Sequence, residues 1–188
     1  MSEKYERAML QDEREISWLV KQLLRNNVRS YLEVGCKFGG ALWFVATRLP
    51  TGSRIVAVDL PQGDGSFKEA EPHLRSCVKA LSARGYDAHL IIGDSTDAAV
   101  IKQATALGPF DACFIDANHT EPYVRADWAN YGAQSRMVAF HDIAWKLKPT
   151  RKMDIHVPQV WAELKQQYKH RECAYSAADN GIGVLWRF

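Results

Sequence analysis

The run Tyr31-Leu-Glu-Val-Gly35-Cys-Lys-Phe-Gly39-Gly40 decides how the rest of the chain is read. Tyr31 to Val34 has the character of a short buried strand. Gly35 and Gly39 bracket a tight turn, and Ala41, Leu42, Val45, Ala46 and Leu49 then recur at helical spacing. Strand, glycine turn and helix make a nucleotide cradle, because glycine turns without a Cβ in the way and a helix start presents unpaired N–H groups with a partial positive charge. A dinucleotide site uses G-x-G-x-x-G, whose middle glycine lets a pyrophosphate approach the main chain. Here Cys36, Lys37 and Phe38 fill that gap, which argues against NAD.

Outward from this unit the chain alternates strands and helices. Upstream, from Glu3 to about Arg25, Ile16, Leu19, Val20, Leu23 and Leu24 form a helical stripe, so residues 1–28 are expected to hold a leading helix beside the sheet. Downstream, Arg54 to Asp59 is a second buried strand ending in a carboxylate about 20 residues after the glycine turn, where a ribose would lie, and Asp59 is the expected ribose ligand. A loop at Pro61 to Ser66 precedes a helix with Leu74, Cys77, Val78 and Leu81 on its core face. Ala88 to Ile92 is the third strand, leading into Gly93-Asp94-Ser95, where Asp94 or Ser95 can cap the helix from Thr96.

Phe110 to Asp116 and Arg136 to Phe140 read as strands four and five. They are followed by Asp116-Ala-Asn-His119 and by His141-Asp142. Residues 143–157, with Trp145, Lys146, Lys148, Arg151 and Lys152, are taken as an insertion over the carboxyl edge of the sheet. A helix with Val160, Trp161, Leu164 and Tyr168 inward comes next. Glu172 to Ser176 and Ile182 to Phe188 then form a hairpin turning at Asn180-Gly181.

Composition sets bounds on partners. With 188 residues, 47% of them hydrophobic, the chain suits one sizeable core, and a formal charge of +2 gives no reason to expect nucleic acid or a membrane. The opening MSEKYERAMLQDERE lacks the apolar core of a signal peptide, and Cys36, Cys77, Cys113 and Cys173 make no C-x-x-C pair. A soluble, cytoplasmic protein with reduced thiols is therefore expected.

The pattern E-x-G-x-x-x-G, Glu33 to Gly39, resembles motif I of class I S-adenosylmethionine-dependent methyltransferases, and the resemblance extends over nearly the whole chain. It implies a Rossmann-like, doubly wound α/β sheet of seven strands, mostly parallel with an antiparallel C-terminal hairpin, in a single methyltransferase domain over residues 1–188. It also implies S-adenosylmethionine held by Glu33, Gly35, Cys36, Gly39, Asp59, Asp94, Ser95 and Asp116. The two strand-end motifs are similar to those of metal-dependent sugar and small-molecule O-methyltransferases, of the macrolide-sugar and cephalosporin-tailoring type. By that likeness Asp116, His141 and Asp142 would hold a divalent metal. His141 stands where that family has an acid, and imidazole suits manganese, iron or zinc better than magnesium.

An alcohol is a poor nucleophile until it loses its proton, which makes His119, beside Asp116, the candidate base. A helix-capping or packing role is the alternative for His119. The expected activity is O-methylation of a small polar acceptor such as a sugar or glycoside. Methylation of a macromolecule and non-catalytic nucleoside binding are the rival readings. The chain has little room for a lid, so a homo-oligomer partner is one way to complete the acceptor pocket.

Overall fold

The computed structural model describes residues 5, 8–60, 70–145, 155–175 and 180–187. In chain order the elements are α1 (Glu13–Arg25), β1 (Ser30–Val34), α2 (Gly40–Ala46), β2 (Arg54–Asp59), α3 (Ala70–Ala83), β3 (Asp87–Ile92), α4 (Ala98–Thr105), β4 (Phe110–Ile115), α5 (Glu121–Asn130), a 3-10 turn (Gly132–Gln134), β5 (Ser135–His141), α6 (Val157–Leu164), β6 (Lys169–Cys173) and β7 (Ile182–Trp186). The strands form one sheet in the order β3-β2-β1-β4-β5-β7-β6, with the first five parallel and β7 antiparallel to both β5 and β6. This is the seven-stranded, doubly wound α/β arrangement expected from the sequence.

Both faces of β1, β2, β4 and β5 are largely buried, which is why they read as nearly continuous apolar runs, whereas the edge strand β3 is only partly covered. On one face Tyr31, Ile55, Ala57, Phe114 and Ala139 pack against α1, α2 and α3. On the other Leu32, Val34, Val56, Ile115 and Phe140 pack against α4, α5 and α6. The register aligns Val58, Val34, Ile115 and Phe140 across four strands, so the next residues, Asp59, Gly35, Asp116 and His141, emerge side by side at the carboxyl edge. Register thus converts four separate strand ends into one row of chemistry.

Three expectations are corrected. The leading helix is not continuous over the expected span: residues 9–12 are not helical, and α1 starts at Glu13, where Asp12 caps it by accepting from the Arg14 N–H at 2.8 Å. Ile16, Leu19, Val20 and Leu23 are buried as expected, but Leu24, in the last turn, is 45% exposed. The sixth strand is Lys169–Cys173 and not Glu172–Ser176. It is an edge strand with only Cys173 buried, so it carries no alternating apolar signal. The Pro61 to Ser66 loop, and Lys146, Lys148, Arg151 and Lys152 of the inserted loop, lie outside the described residues. Among the described residues no helix is long and apolar enough to cross a membrane. All four cysteines are buried, and Cys36, Cys77 and Cys113 form no disulfide among the described residues.

One buried charge stands apart from the carboxyl edge. Asp127 on α5 is fully buried and neither carboxylate oxygen makes a hydrogen bond among the described residues. Burial lifts its pKa to about 7, with Ser95 working in the opposite direction and Asp94 adding to the rise. The folded protein therefore holds a proton here that the unfolded chain releases near pH 4, so stability falls as pH rises between those values and levels off above about 7. The slope from one such group is at most about 1.4 kcal/mol per pH unit. Asp127→Asn is expected to flatten that slope and to leave the variant relatively more stable at pH 8 than at pH 5, read by urea unfolding at both values.

Candidate active site

The glycine turn is built from the main chain outward. Gly35 has φ +90°, and a Cβ there would run into the Asp116 carbonyl oxygen and Ala117 Cα, so the turns after β1 and β4 touch backbone to backbone. Asp59 Oδ2 accepts from the main-chain N–H groups of Cys36 and Lys37, pinning the turn to the end of β2. Asp59 is buried, which raises its pKa, although those two amides oppose the rise. Its other oxygen, Oδ1, makes no hydrogen bond among the described residues, and Asp59 lines a cavity of about 760 Å3 over the carboxyl edge.

The cofactor residues expected from the sequence divide into two groups. Gly35, Asp59, Asp94, Ser95 and Asp116 line the cavity. Glu33, Cys36 and Gly39 are not among its lining residues and shape the turn instead. The Tyr31 hydroxyl donates to Glu33 Oε2 at 2.7 Å, and the Cys36 thiol donates to the Glu33 carbonyl at 3.4 Å. Burial pushes the Glu33 carboxyl up to about 8, partly offset by the Tyr31 hydrogen bond, so it is largely neutral at pH 7. Burial also drives the Cys36 thiol pKa well up, which leaves it an inert core thiol. Asp94 forms a local turn, accepting from Thr96 N–H at 2.8 Å and Thr96 Oγ1 at 2.7 Å, and receives the Tyr123 hydroxyl at 3.2 Å. The cap of α4 is Asp97, so neither Asp94 nor Ser95 has that duty.

Asp116, His119, His141 and Asp142 converge a few ångströms from the glycine turn. His119 Nε2 lies 3.4 Å from Asp116 Oδ1 and 3.0 Å from Asp142 Oδ2. His141 Nδ1 lies 3.1 Å from the same Asp116 oxygen and 3.4 Å from Asp142 Oδ1. Burial would raise the Asp116 pKa, but the two imidazoles outweigh it and hold the carboxyl well below the usual range. Burial works to lower both histidines, yet the carboxylates prevail: His119 is raised, and His141 is raised further. Asp142, with φ +61° at the start of the turn after β5, is raised by burial. Its Oδ1 is buried and makes no hydrogen bond among the described residues, with His141 Nδ1 3.4 Å away.

One ligand atom from each of Asp116, His119 and Asp142 falls within 4.8 Å of the others, a spacing suited to a divalent cation, and the orphaned Asp142 oxygen fits that purpose. This trio takes His119 where the sequence pointed to His141. His119 does not cap α5, whose N-cap is Thr120, supported by Asn118 Oδ1 accepting from its N–H at 2.9 Å.

Two site residues escaped sequence reading. Gln11 Nε2 donates to Asp116 Oδ2 at 2.6 Å, and Glu15, 1% exposed on α1, accepts from the Gly181 N–H at 3.0 Å. A signal for Glu15 did exist: it lies four residues before Leu19, on the buried face of the helix, where a carboxylate has no business unless it is paired.

A Gly-turn cradle, a strand-end acid and an acid–histidine cluster at the carboxyl edge of a seven-stranded sheet define a methyltransferase-type site. The model of a methyltransferase domain matches residues 32–143, and the chain belongs to that family. No curated protein matches the chain in sequence. Solved structures share the fold. An O-methyltransferase from Bacillus cereus in complex with SAH has TM-score 0.71 and 16% identity, over 99% of this chain and 89% of its own. TomG of Streptomyces achromogenes, an O-methyltransferase of tomaymycin synthesis in complex with SAM, has TM-score 0.66 and 16% identity, over 93% and 80%. SAH-bound methyltransferase PaMTH1 of Podospora anserina has TM-score 0.61 and 19% identity, over 95% and 80%.

Gly35→Ala is expected to destabilise the protein by about 2–5 kcal/mol, combining backbone strain with a main-chain collision. Gly52→Ala, at a similar φ of +84° but with nothing within 4 Å of the added Cβ, should cost only about 1 kcal/mol. Urea unfolding of the two variants separates the collision from the strain.

Proposed function

We propose that the whole chain acts as one S-adenosylmethionine-dependent O-methyltransferase domain whose acceptor is a small polar molecule carrying a hydroxyl, such as a sugar or glycoside. The observation that carries this reading is the meeting of Asp116, His119 and Asp142 beside the Gly35 turn and Asp59, within one cavity. About 760 Å3 is in the range of small-molecule sites and suits a nucleoside with a compact acceptor better than a nucleic acid. The buried thiols of Cys36, Cys77 and Cys113 favour a reducing, cytoplasmic setting. A second copy of the chain remains a means of closing the acceptor side.

S-adenosylmethionine, when bound, supplies a methyl carbon on a positively charged sulfur, which an oxygen nucleophile attacks in line as the carbon–sulfur bond breaks. In this reading Asp59 accepts from the ribose hydroxyls through Oδ1, while Oδ2 keeps the turn in shape. With Nε2–H held by Asp116 and Asp142, His119 takes the acceptor proton on Nδ1, and the two carboxylates stabilise the resulting imidazolium. The acidic edge favours a cationic ligand and opposes a diphosphate.

A metal-assisted version is favoured by the orphaned Asp142 oxygen. Asp116, His119 and Asp142 would then be the ligands, with His141 holding Asp116, and the cation would lower the pKa of the acceptor hydroxyl. His119 cannot serve as ligand and base at once, so removal of metal distinguishes the two versions.

Calorimetric titration with S-adenosylmethionine and with NAD, each with EDTA or with added manganese or magnesium, is the test. S-adenosylmethionine is expected to bind saturably and NAD not at all. Absence of S-adenosylmethionine binding under every condition would overturn the reading. With a panel of sugars and glycosides as acceptors, His119→Ala should lower kcat about 10²–10⁴-fold while the S-adenosylmethionine affinity stays within about twofold. Retained turnover in EDTA would assign His119 as base, and lost turnover would assign it as ligand.

A further inference from the structure

The Glu15 carboxylate is used by neither the cofactor cradle nor the proton transfer above, although it is among the most thoroughly buried charges in the protein. It sits on the core face of α1, is 1% exposed, and its Oε1 accepts from the Gly181 N–H at 3.0 Å, where the β6–β7 connection returns to the sheet. Its Oε2 lies 3.7 Å from His141 Nε2. That distance is an ion-pair contact longer than a hydrogen bond, and His141 Nε2 has no hydrogen-bond partner among the described residues. The same ring reaches Asp116 Oδ1 through Nδ1 at 3.1 Å, and Phe114 meets it edge to face with centroids 6.3 Å apart.

These contacts form one line from the leading helix to the reaction centre: Glu15, His141, Asp116, His119. We infer that Glu15 is a positioning residue, a buried carboxylate from outside the sheet that orients the His141 ring and through it fixes the Asp116 carboxylate against His119. The inference rests on the proposed activity only for its kinetic consequence.

A desolvated carboxylate needs a partner, and one amide hydrogen bond leaves most of its charge unmet. His141 is the side chain that geometry brings to it, with Nε2 3.7 Å from Oε2. With Nδ1 hydrogen-bonded to Asp116 at 3.1 Å, the Glu15 carboxylate on the far side of the ring favours the orientation that keeps Nδ1 on Asp116. With Gln11 donating to the other Asp116 oxygen at 2.6 Å, the carboxylate is held from both sides by groups tied to the leading segment. A ring released from Glu15 has no reason to keep Nδ1 on Asp116.

Glu15→Gln separates this role from simple packing, because glutamine Oε1 can still accept from Gly181 N–H while the charge facing His141 is gone. Ring ¹⁵N spectra of the protein's six histidines, with the His141 signals assigned by their loss in His141→Asn, give a readout that needs no turnover. The expected result is a shift of the His141 and His119 ring signals, with those of the remote His89 unmoved, and a melting temperature close to that of the unaltered protein. With an acceptor that supports turnover, kcat should fall at least about tenfold and the KM for S-adenosylmethionine stay within about twofold. The double variant Glu15→Gln/His141→Asn should be no slower than His141→Asn alone, because both changes act at one point. Unmoved His141 signals would overturn the inference, as would a Glu15→Gln protein that fails to fold, since that would assign Glu15 to structure alone. Shifted signals in a protein that shows no methyl transfer would keep the inference and defeat the proposed activity.

Discussion

The contact on which this site depends is between main chains. The turn after β1 and the turn after β4 approach so closely that position 35 has no space for a single carbon, and the Asp116 carbonyl occupies the place where a Cβ would go. Because β1 and β4 are neighbours at the point where the strand order reverses, this contact sits at the topological switch of the sheet, where open α/β folds form their ligand crevice. Asp59 then fixes the turn from the β2 side through two amides. The main-chain position of Asp116 relative to the cradle is therefore set by backbone packing.

Around that contact the protein gathers more carboxylates than an open sheet edge would normally tolerate, and it neutralises each by different means. Glu33 keeps a proton at neutral pH and takes a hydrogen bond from Tyr31. Asp59 spends one oxygen on main-chain N–H groups. Asp116 lies between two imidazoles and remains ionised despite its burial. These devices are not interchangeable: a neutral acid and an amide-bound acid can support a cradle, whereas only a carboxylate kept ionised beside an imidazole can help to move a proton or hold a cation.

Much of this was legible in the sequence because burial on both faces leaves an obvious trace. The runs Ile55 to Val58 and Ala112 to Ile115 are apolar and are each followed at once by an acid, Asp59 and Asp116, and those acids mark the carboxyl edge directly. The exposed edge strand Lys169–Cys173 left no such trace and was placed three residues late. Gln11 and Glu15 were hidden for another reason. They come from a segment that precedes the sheet and reach the site only through three-dimensional packing, which local periodicity does not encode. The choice between His119 and His141 was illegible as well: both stand beside an acid in the chain, and only geometry shows that His119 meets two carboxylates while His141 is enclosed between Asp116 and Glu15.

What is left unmatched in the cluster points the same way as what is matched. If both histidines carry a proton, their two positive charges face Glu15, Asp116 and Asp142, so the cluster is at most one negative charge in excess. The Asp142 oxygen that lacks a hydrogen bond is the natural place for that excess. A buried oxygen whose nearest cation is 3.4 Å away, with no hydrogen bond among the described residues, is costly to keep in a folded protein, and it becomes useful when a donor or a cation arrives. A hydroxyl, an ammonium or a divalent ion each satisfies it, whereas a phosphate would add to the repulsion. The charge balance of the cluster thus favours positive or hydrogen-bond-donating ligands, and methyl transfer to oxygen needs room for both a sulfonium and a hydroxyl.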